Sequence, residues 1–132
     1  MGKYLEQAKA LRNDETVHYN CAQAVTCAFS EATGLSREWS QKVAANFGSG
    51  MKRGGTCGAI TGGLMVLGLL GKDDGPTVAA YHKAFRDNHQ GCLECADLLR
   101  INQKQGCEKK CHCDGMVYEA VERIESLLEE KE

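Results

Sequence analysis

Proline occurs once in the 132 residues and aromatic side chains make up only 6%. With so little proline, long helices can run unbroken. Clean alternation of apolar and polar residues is missing as well, which removes the usual signature of a half-buried strand. The expected fold class is therefore all-α. Neither sign of charge dominates: 16 Lys and Arg stand against 18 Asp and Glu, for a formal net charge of −2. The basic residues are scattered and do not alternate with aromatics, so nucleic acid is excluded as a partner. Long apolar runs are also lacking. The most apolar stretch, residues 59–70, is too short and too rich in glycine to span a bilayer, and no membrane insertion is expected. Met1-Gly2-Lys3-Tyr4-Leu5-Glu6 lacks the apolar core of a signal peptide, and Glu6 stands where a myristoylation signal needs Ser or Thr. The expected compartment is the cytoplasm.

What the chain does have is an apolar content of 42%, 15 glycines and 8 cysteines. Its length suits a single domain around one core. Leu5, Ala8 and Leu11 mark one face of a first helix. Asn20 with Gln23 three residues on predicts a capping box, followed by an apolar face of Cys21, Val25, Ala28, Phe29 and Ala32 up to Gly34. Ser36 starts a third helix, with Trp39, Val43, Ala44 and Phe47 at helical spacing. Residues 48–56 form a loop with four glycines. Residues 57–70 are apolar all round, which predicts a central, buried, Gly-rich helix. Pro76 opens another helix with Val78, Tyr81, His82 and Phe85 facing inward. A short helix around Cys95 buries Leu98 and Leu99, and the last starts near Asp114 with Val117, Val121, Ile124 and Leu128 as its stripe. A single-domain helical bundle of about five to seven helices results. Residues 58–70 are expected to be its most buried segment. An all-apolar helix can be covered within one chain or across a homodimer.

In a reducing compartment a cysteine is core filler, a metal ligand or a redox thiol. Four of the eight fall at predicted helix starts: Cys21 behind its N-cap, Cys57 opening the Gly-rich helix, Cys95 in the first turn of the short helix and Cys113 just before the last. Unpaired N–H groups and the positive end of the helix dipole favour thiolate there, the form that binds soft metals and attacks disulfides. Gly55 and Gly58 flank Cys57 and let backbone approach a bulky centre without a Cβ clash. Cys27 reads as incidental. Cys92 and Cys95 form C-x2-C, and Cys107, Cys111 and Cys113 form C-x3-C-x-C around His112, a zinc-like spacing. His82 reads as a core residue, and His18 and His89 as solvated. The glycines before Cys57 fit neither a P-loop nor a dinucleotide fingerprint.

Asn20-Cys21-Ala22-Gln23-Ala24, Cys57-Gly58-Ala59-Ile60-Thr61-Gly62-Gly63, Cys95 before Asp97-Leu98-Leu99, and Cys113 ahead of Val117 together resemble the small redox-active proteins labelled by the C_GCAxxG_C_C cysteine pattern. The likeness runs from Asn20 to about Leu128. It implies that Cys21, Cys57, Cys95 and Cys113 are the working set, with Cys27, Cys92, Cys107 and Cys111 as extras. Three functions compete. Four thiolates can hold an iron–sulfur cluster for electron transfer or redox sensing with an unidentified redox partner protein. Alternatively, the thiols cycle between dithiol and disulfide as an oxidoreductase without metal. The third reading is a zinc-stapled, non-catalytic binding module using Cys92, Cys95, Cys107 and either Cys111 or Cys113.

Overall fold

Most predicted helix starts hold in the folded chain, but the last helix starts earlier than expected and the second breaks in two. The computed structural model describes residues 2–106 and 108–130. Among these lie eight α-helices and no strand: α1 Lys3–Arg12, α2 Cys21–Ala28, α3 Ser30–Thr33, α4 Arg37–Val43, α5 Gly58–Leu69, α6 Gly75–Asn88, α7 Cys95–Lys104 and α8 Lys109–Glu130. A 3₁₀ turn covers Ala45–Phe47. The chain is all-α, and no helix among the described residues is long and apolar enough to cross a membrane.

The capping box of α2 forms in full. The Gln23 N–H donates to Asn20 Oδ1 at 2.8 Å and the Asn20 N–H donates to Gln23 Oε1 at 2.9 Å. Two otherwise orphaned donors are satisfied, so the helix can start deep in the protein. Every residue of Cys21–Ala28 is buried, which makes α2 more enclosed than α5. The front of α5 meets expectation, with Gly58, Ala59, Ile60, Gly62, Gly63, Val66 and Leu67 buried. Its last turn does not, because Gly68 has open space beside it and Leu69 is 48% exposed. That turn runs past the helices that cover the rest.

α2 and α5 pack directly on each other at the centre, and α1 and α8 close over them. Their contact is close because two glycines of α5 face α2. A Cβ on Gly58 would lie 2.6 Å from Cys21 Sγ, and one on Gly62 would lie 2.8 Å from the Ala22 carbonyl oxygen. These glycines forgo helix propensity and gain backbone proximity. α6 docks through Tyr81, whose hydroxyl donates to the Ile60 carbonyl at 3.1 Å, and through the buried ring of Phe85.

Several predicted faces are corrected, and so is one helix start. Trp39 and Val43 are 58% and 51% exposed, while Ser40 and Ala44 on α4 and its end are buried. Polar contacts turn the helix this way: Thr26 Oγ1 donates to the Ser40 carbonyl at 3.0 Å and Gln23 Nε2 to that of Gln41 at 3.0 Å. Val78, His82, Leu99 and Leu128 are half-buried rather than core. The other correction is the start of α8, at Lys109 and not Asp114. The Asp114 carboxylate accepts from Arg12 Nε at 2.6 Å and from Lys110 Nζ at 2.9 Å, so it serves an ion-pair cluster and not a cap.

Candidate functional site

Three helix N-termini meet beside the α2–α5 contact, and each carries a cysteine. Cys21 is the first residue of α2, Cys57 is the N-cap of α5 and Cys95 is the first residue of α7. What joins the last two is a single antiparallel bridge between Thr56 and Glu94. The Cys57 N–H donates to the Leu93 carbonyl at 2.9 Å, and the Cys95 N–H to that of Gly55 at 2.6 Å. Successive side chains of extended backbone point to opposite faces. Thr56 and Glu94 therefore share the outer face, where Thr56 Oγ1 donates to Glu94 Oε2 at 3.2 Å. Cys57 and Cys95 share the inner face and are 2% and 8% exposed.

The surrounding backbone is unusual. Ser49, Met51 and Lys52 have φ of 53°, 60° and 61°, a left-handed conformation that costs non-glycine residues of order 1 kcal/mol each. This strained turn lies against the cysteines. A Cβ on Gly50 would approach Cys95 Cβ to 2.8 Å, and one on Gly55 would lie 3.2 Å from the Gly50 carbonyl oxygen. Gly55 and Gly58 were expected to make room for a cofactor. In this structure the room is taken by the Gly50–Gly54 turn beside Gly55 and by Cys21 beside Gly58.

Cys113 reaches the site differently. Because α8 begins at Lys109, Cys113 sits within the helix. The His112 N–H already donates to the Glu108 carbonyl at 2.8 Å, so Cys113 lies beyond the unpaired N–H groups and the helix-start argument does not apply to it. It lines a cavity of about 480 Å³ together with Cys21, Arg12, His18, Ser49 and Lys110. Cys21 thus borders the cavity on one side and the buried Cys57 on the other.

Electrostatics reverse one expectation. Burial pushes the Cys57 thiol up to about 12, with the neighbouring Cys21 and, more weakly, Cys95 adding to the shift. The N–H groups of Ala59 and Ile60 pull the other way without closing a side-chain cap hydrogen bond, and they lose. The helix start favours thiolate at Cys57, but desolvation outweighs it. Tyr81 feels the same environment: burial raises it well above its ordinary value, and Cys57 and Glu119 add to this.

The remaining candidates lie apart. Cys27 is 1% exposed, its thiol is raised by burial, and its Sγ donates to the Arg37 carbonyl at 3.7 Å on another side of α2. Cys92 is half-buried, with Sγ 3.9 Å from the Gln90 carbonyl oxygen. Cys111 is disulfide-bonded, which the sequence did not suggest. Cys107 lies outside the described residues. His112 is 2% exposed and hydrogen-bonds Asn102, and burial lowers its pKa. His89 is not simply solvated, since its Nε2 meets Glu119 Oε1 at 2.7 Å. Among the described residues, no three His, Cys, Asp or Glu side chains gather to hold a metal ion. Arg12, His18, Ser49 and Lys110 were missed as site residues. Arg12 joins Cys113 only through tertiary packing of α1 on α8, for which no local pattern exists, whereas Lys110 stands three residues before Cys113 on α8 itself.

An all-helical chain that draws cysteines from four separate segments toward one region defines a class of small cysteine-rich helical domains. The family model described as "Putative redox-active protein (C_GCAxxG_C_C)" matches residues 19–127, and the chain belongs to that family. No curated protein and no solved structure matches it.

Proposed function

We propose that this redox protein works by making and breaking a disulfide among Cys21, Cys57, Cys95 and Cys113, with Cys21 as the linking thiol. The observation that carries the reading is the double placement of Cys21. It borders the cavity that Cys113 also lines, and it lies beside the buried Cys57, whose ionisation it opposes. Oxidation of two of these thiols forms one S–S bond and releases two electrons and two protons. An incoming disulfide accepts them and leaves as two thiols. A buried thiol held near 12 is a poor nucleophile at neutral pH, so attack begins at the cavity and Cys57 enters afterwards. A thiol of high pKa is also a poor leaving group, which makes a disulfide that includes Cys57 slow to reopen. The protein acts as an oxidoreductase or electron carrier toward a redox partner in the cytoplasm.

A second reading, an iron–sulfur cluster on the same four cysteines, is favoured by the helix N-termini at Cys21, Cys57 and Cys95, whose N–H groups suit thiolate and sulfide charge. When bound, a cluster would supply one-electron transfer. The donor set fits in number but not in placement, because no three of the side chains gather around one point. The zinc alternative through Cys92, Cys95, Cys107, Cys111 and Cys113 competes with the disulfide at Cys111.

The test is thiol counting by mass tagging across a series of thiol–disulfide redox buffers, on protein purified without oxygen, with a visible spectrum and metal analysis beside it. Colourless protein that loses two taggable thiols in one step is expected. Brown protein carrying iron and sulfide would transfer the four cysteines to the cluster reading. A thiol count indifferent to redox poise would overturn the proposal.

A further inference from the structure

We propose that the cavity between α1, α2 and α8 binds a small disulfide bearing carboxylates, which Cys113 attacks and Cys21 resolves. The inference rests on the thiol–disulfide reading and adds to it the class of substrate.

The cavity has the size of a small-molecule site: about 480 Å³, within the range of roughly 300–1,000 Å³ that ligand pockets occupy. Its charge is one-sided. Among the described residues, Arg12, Lys110 and His18 line it and no carboxylate does. The two permanent cations are held in place by one anion, Asp114, which accepts from Arg12 at 2.6 Å and from Lys110 at 2.9 Å. Two cations against one carboxylate leave net positive charge at the cavity. Arg12 is additionally fixed by donating from Nη1 to the Tyr19 carbonyl at 2.8 Å, so its guanidinium cannot swing away. A preorganised cationic wall beside two sulfurs fits an anionic ligand whose reacting atom is itself sulfur. It also suits the chemistry, since positive charge near a sulfur steadies both the attacking and the departing thiolate.

Exposure orders the two steps. Cys113 is half-buried and open to the cavity, whereas Cys21 is 5% exposed and lies behind it. Cys113 thiolate attacks one sulfur of the ligand, forming a Cys113–ligand disulfide and releasing the other half as a thiolate that takes up a proton. Cys21, giving up its proton, then attacks Cys113 sulfur. The bond from Cys113 to the ligand breaks, the second half leaves as a thiol, and a Cys21–Cys113 disulfide remains. The ligand gains two electrons and two protons, and the protein supplies both.

The experiment compares oxidised glutathione, which is anionic, with the neutral bis(2-hydroxyethyl) disulfide and the dicationic cystamine. The rate at which the Cys113 thiol is lost is followed by peptide mapping in the full chain. Wild type is expected to react at least about tenfold faster with oxidised glutathione than with the neutral disulfide, and slowest with cystamine. Lys110→Gln, at a side chain that is 61% exposed, should slow reaction with oxidised glutathione more than reaction with the neutral disulfide, so that most of that preference is lost. In Cys113→Ser, S-methylglutathione should still bind, which separates recognition from reaction. Equal rates with the three disulfides, or preference for cystamine, would overturn the substrate class while leaving the thiol proposal standing. Reaction at other cysteines but not at Cys113 would overturn the cavity as the entry point. A thiol count that answers to no disulfide would remove the underlying reading itself.

Discussion

Replacing Gly62 with Ala tests whether the closeness of α2 and α5 is what holds the cysteine region together. The new Cβ would stand 2.8 Å from the Ala22 carbonyl oxygen, 3.1 Å from Ala22 Cα and 3.3 Å from Val25 Cβ. Two of those atoms are helix backbone, so relief requires the helices to move apart and not a side chain to turn. Overpacking of this kind costs about 1–3 kcal/mol. Against it stands the helix propensity gained by replacing a mid-helix glycine, up to about 1 kcal/mol. The balance is a loss of about 1–2 kcal/mol. Gly68→Ala in the same helix is the matched control, since its Cβ would meet nothing within 4 Å. It should gain about 0.5–1 kcal/mol. Urea unfolding of reduced protein at one pH reads both. At about 4 °C per kcal/mol for a chain of this size, the two variants should melt roughly 6–12 °C apart. A Gly62→Ala variant as stable as Gly68→Ala would refute the close-packing argument.

Other outcomes follow from particular residues. The Cys57 thiol rises from 9.0 to about 12 on folding, so between those values the unfolded state binds fewer protons and stability falls as pH rises. Moving from pH 8 to pH 10 should cost about 1.4 kcal/mol more in wild type than in Cys57→Ala, measured by urea unfolding, and equal slopes would contradict the burial of that thiol. Asp114→Asn leaves the Arg12 side chain, 7% exposed, without its carboxylate partner. A loss of about 2–3 kcal/mol is expected. Burial raises the Asp114 carboxyl, but hydrogen bonds from Lys110 and Arg12 outweigh it and hold the pKa low. Its contribution is therefore present above the unfolded value and disappears as pH falls through the carboxylate range, so the variant and wild type should converge in acid. Asn20→Ala removes the α2 cap and the 3.1 Å bond from Asn20 Nδ2 to the Ala45 carbonyl, and should cost about 1–2 kcal/mol by the same unfolding assay.

Much of this was legible in sequence because it is local. The capping box of α2, the opening of α6 around Pro76 and the buried front of α5 each follow from residues within one turn of each other. Phe29 shows the limit: the stretch read as one helix from Asn20 to Gly34 breaks there into α2 and α3, with no breaker residue to announce it. Helical spacing groups Trp39 with Val43 but does not say which side of α4 is inward, and hydrogen bonds from α2 decide it. The last helix was expected to start near Asp114, yet that carboxylate pairs with Arg12, 102 positions away, inside a helix that begins at Lys109. The bridge that aligns Cys57 with Cys95 joins segments 38 residues apart and leaves no periodic trace. Nor could the pattern of cysteines show that desolvation would defeat the helix start at Cys57, because burial is a property of the packed chain.

The central claim is that oxidation runs from the cavity through Cys21 to Cys57, and disulfide mapping tests it most directly. Reduced protein is oxidised in a redox buffer and its new disulfides are located by peptide mass in wild type, Cys57→Ser and Cys27→Ser. The account predicts a wild-type disulfide joining Cys21 to Cys113 early and to Cys57 at equilibrium. It predicts the same pattern in Cys27→Ser, and arrest at the Cys21–Cys113 stage in Cys57→Ser. Equal loss in both variants, loss in neither, or a dominant disulfide that omits Cys21 would contradict it.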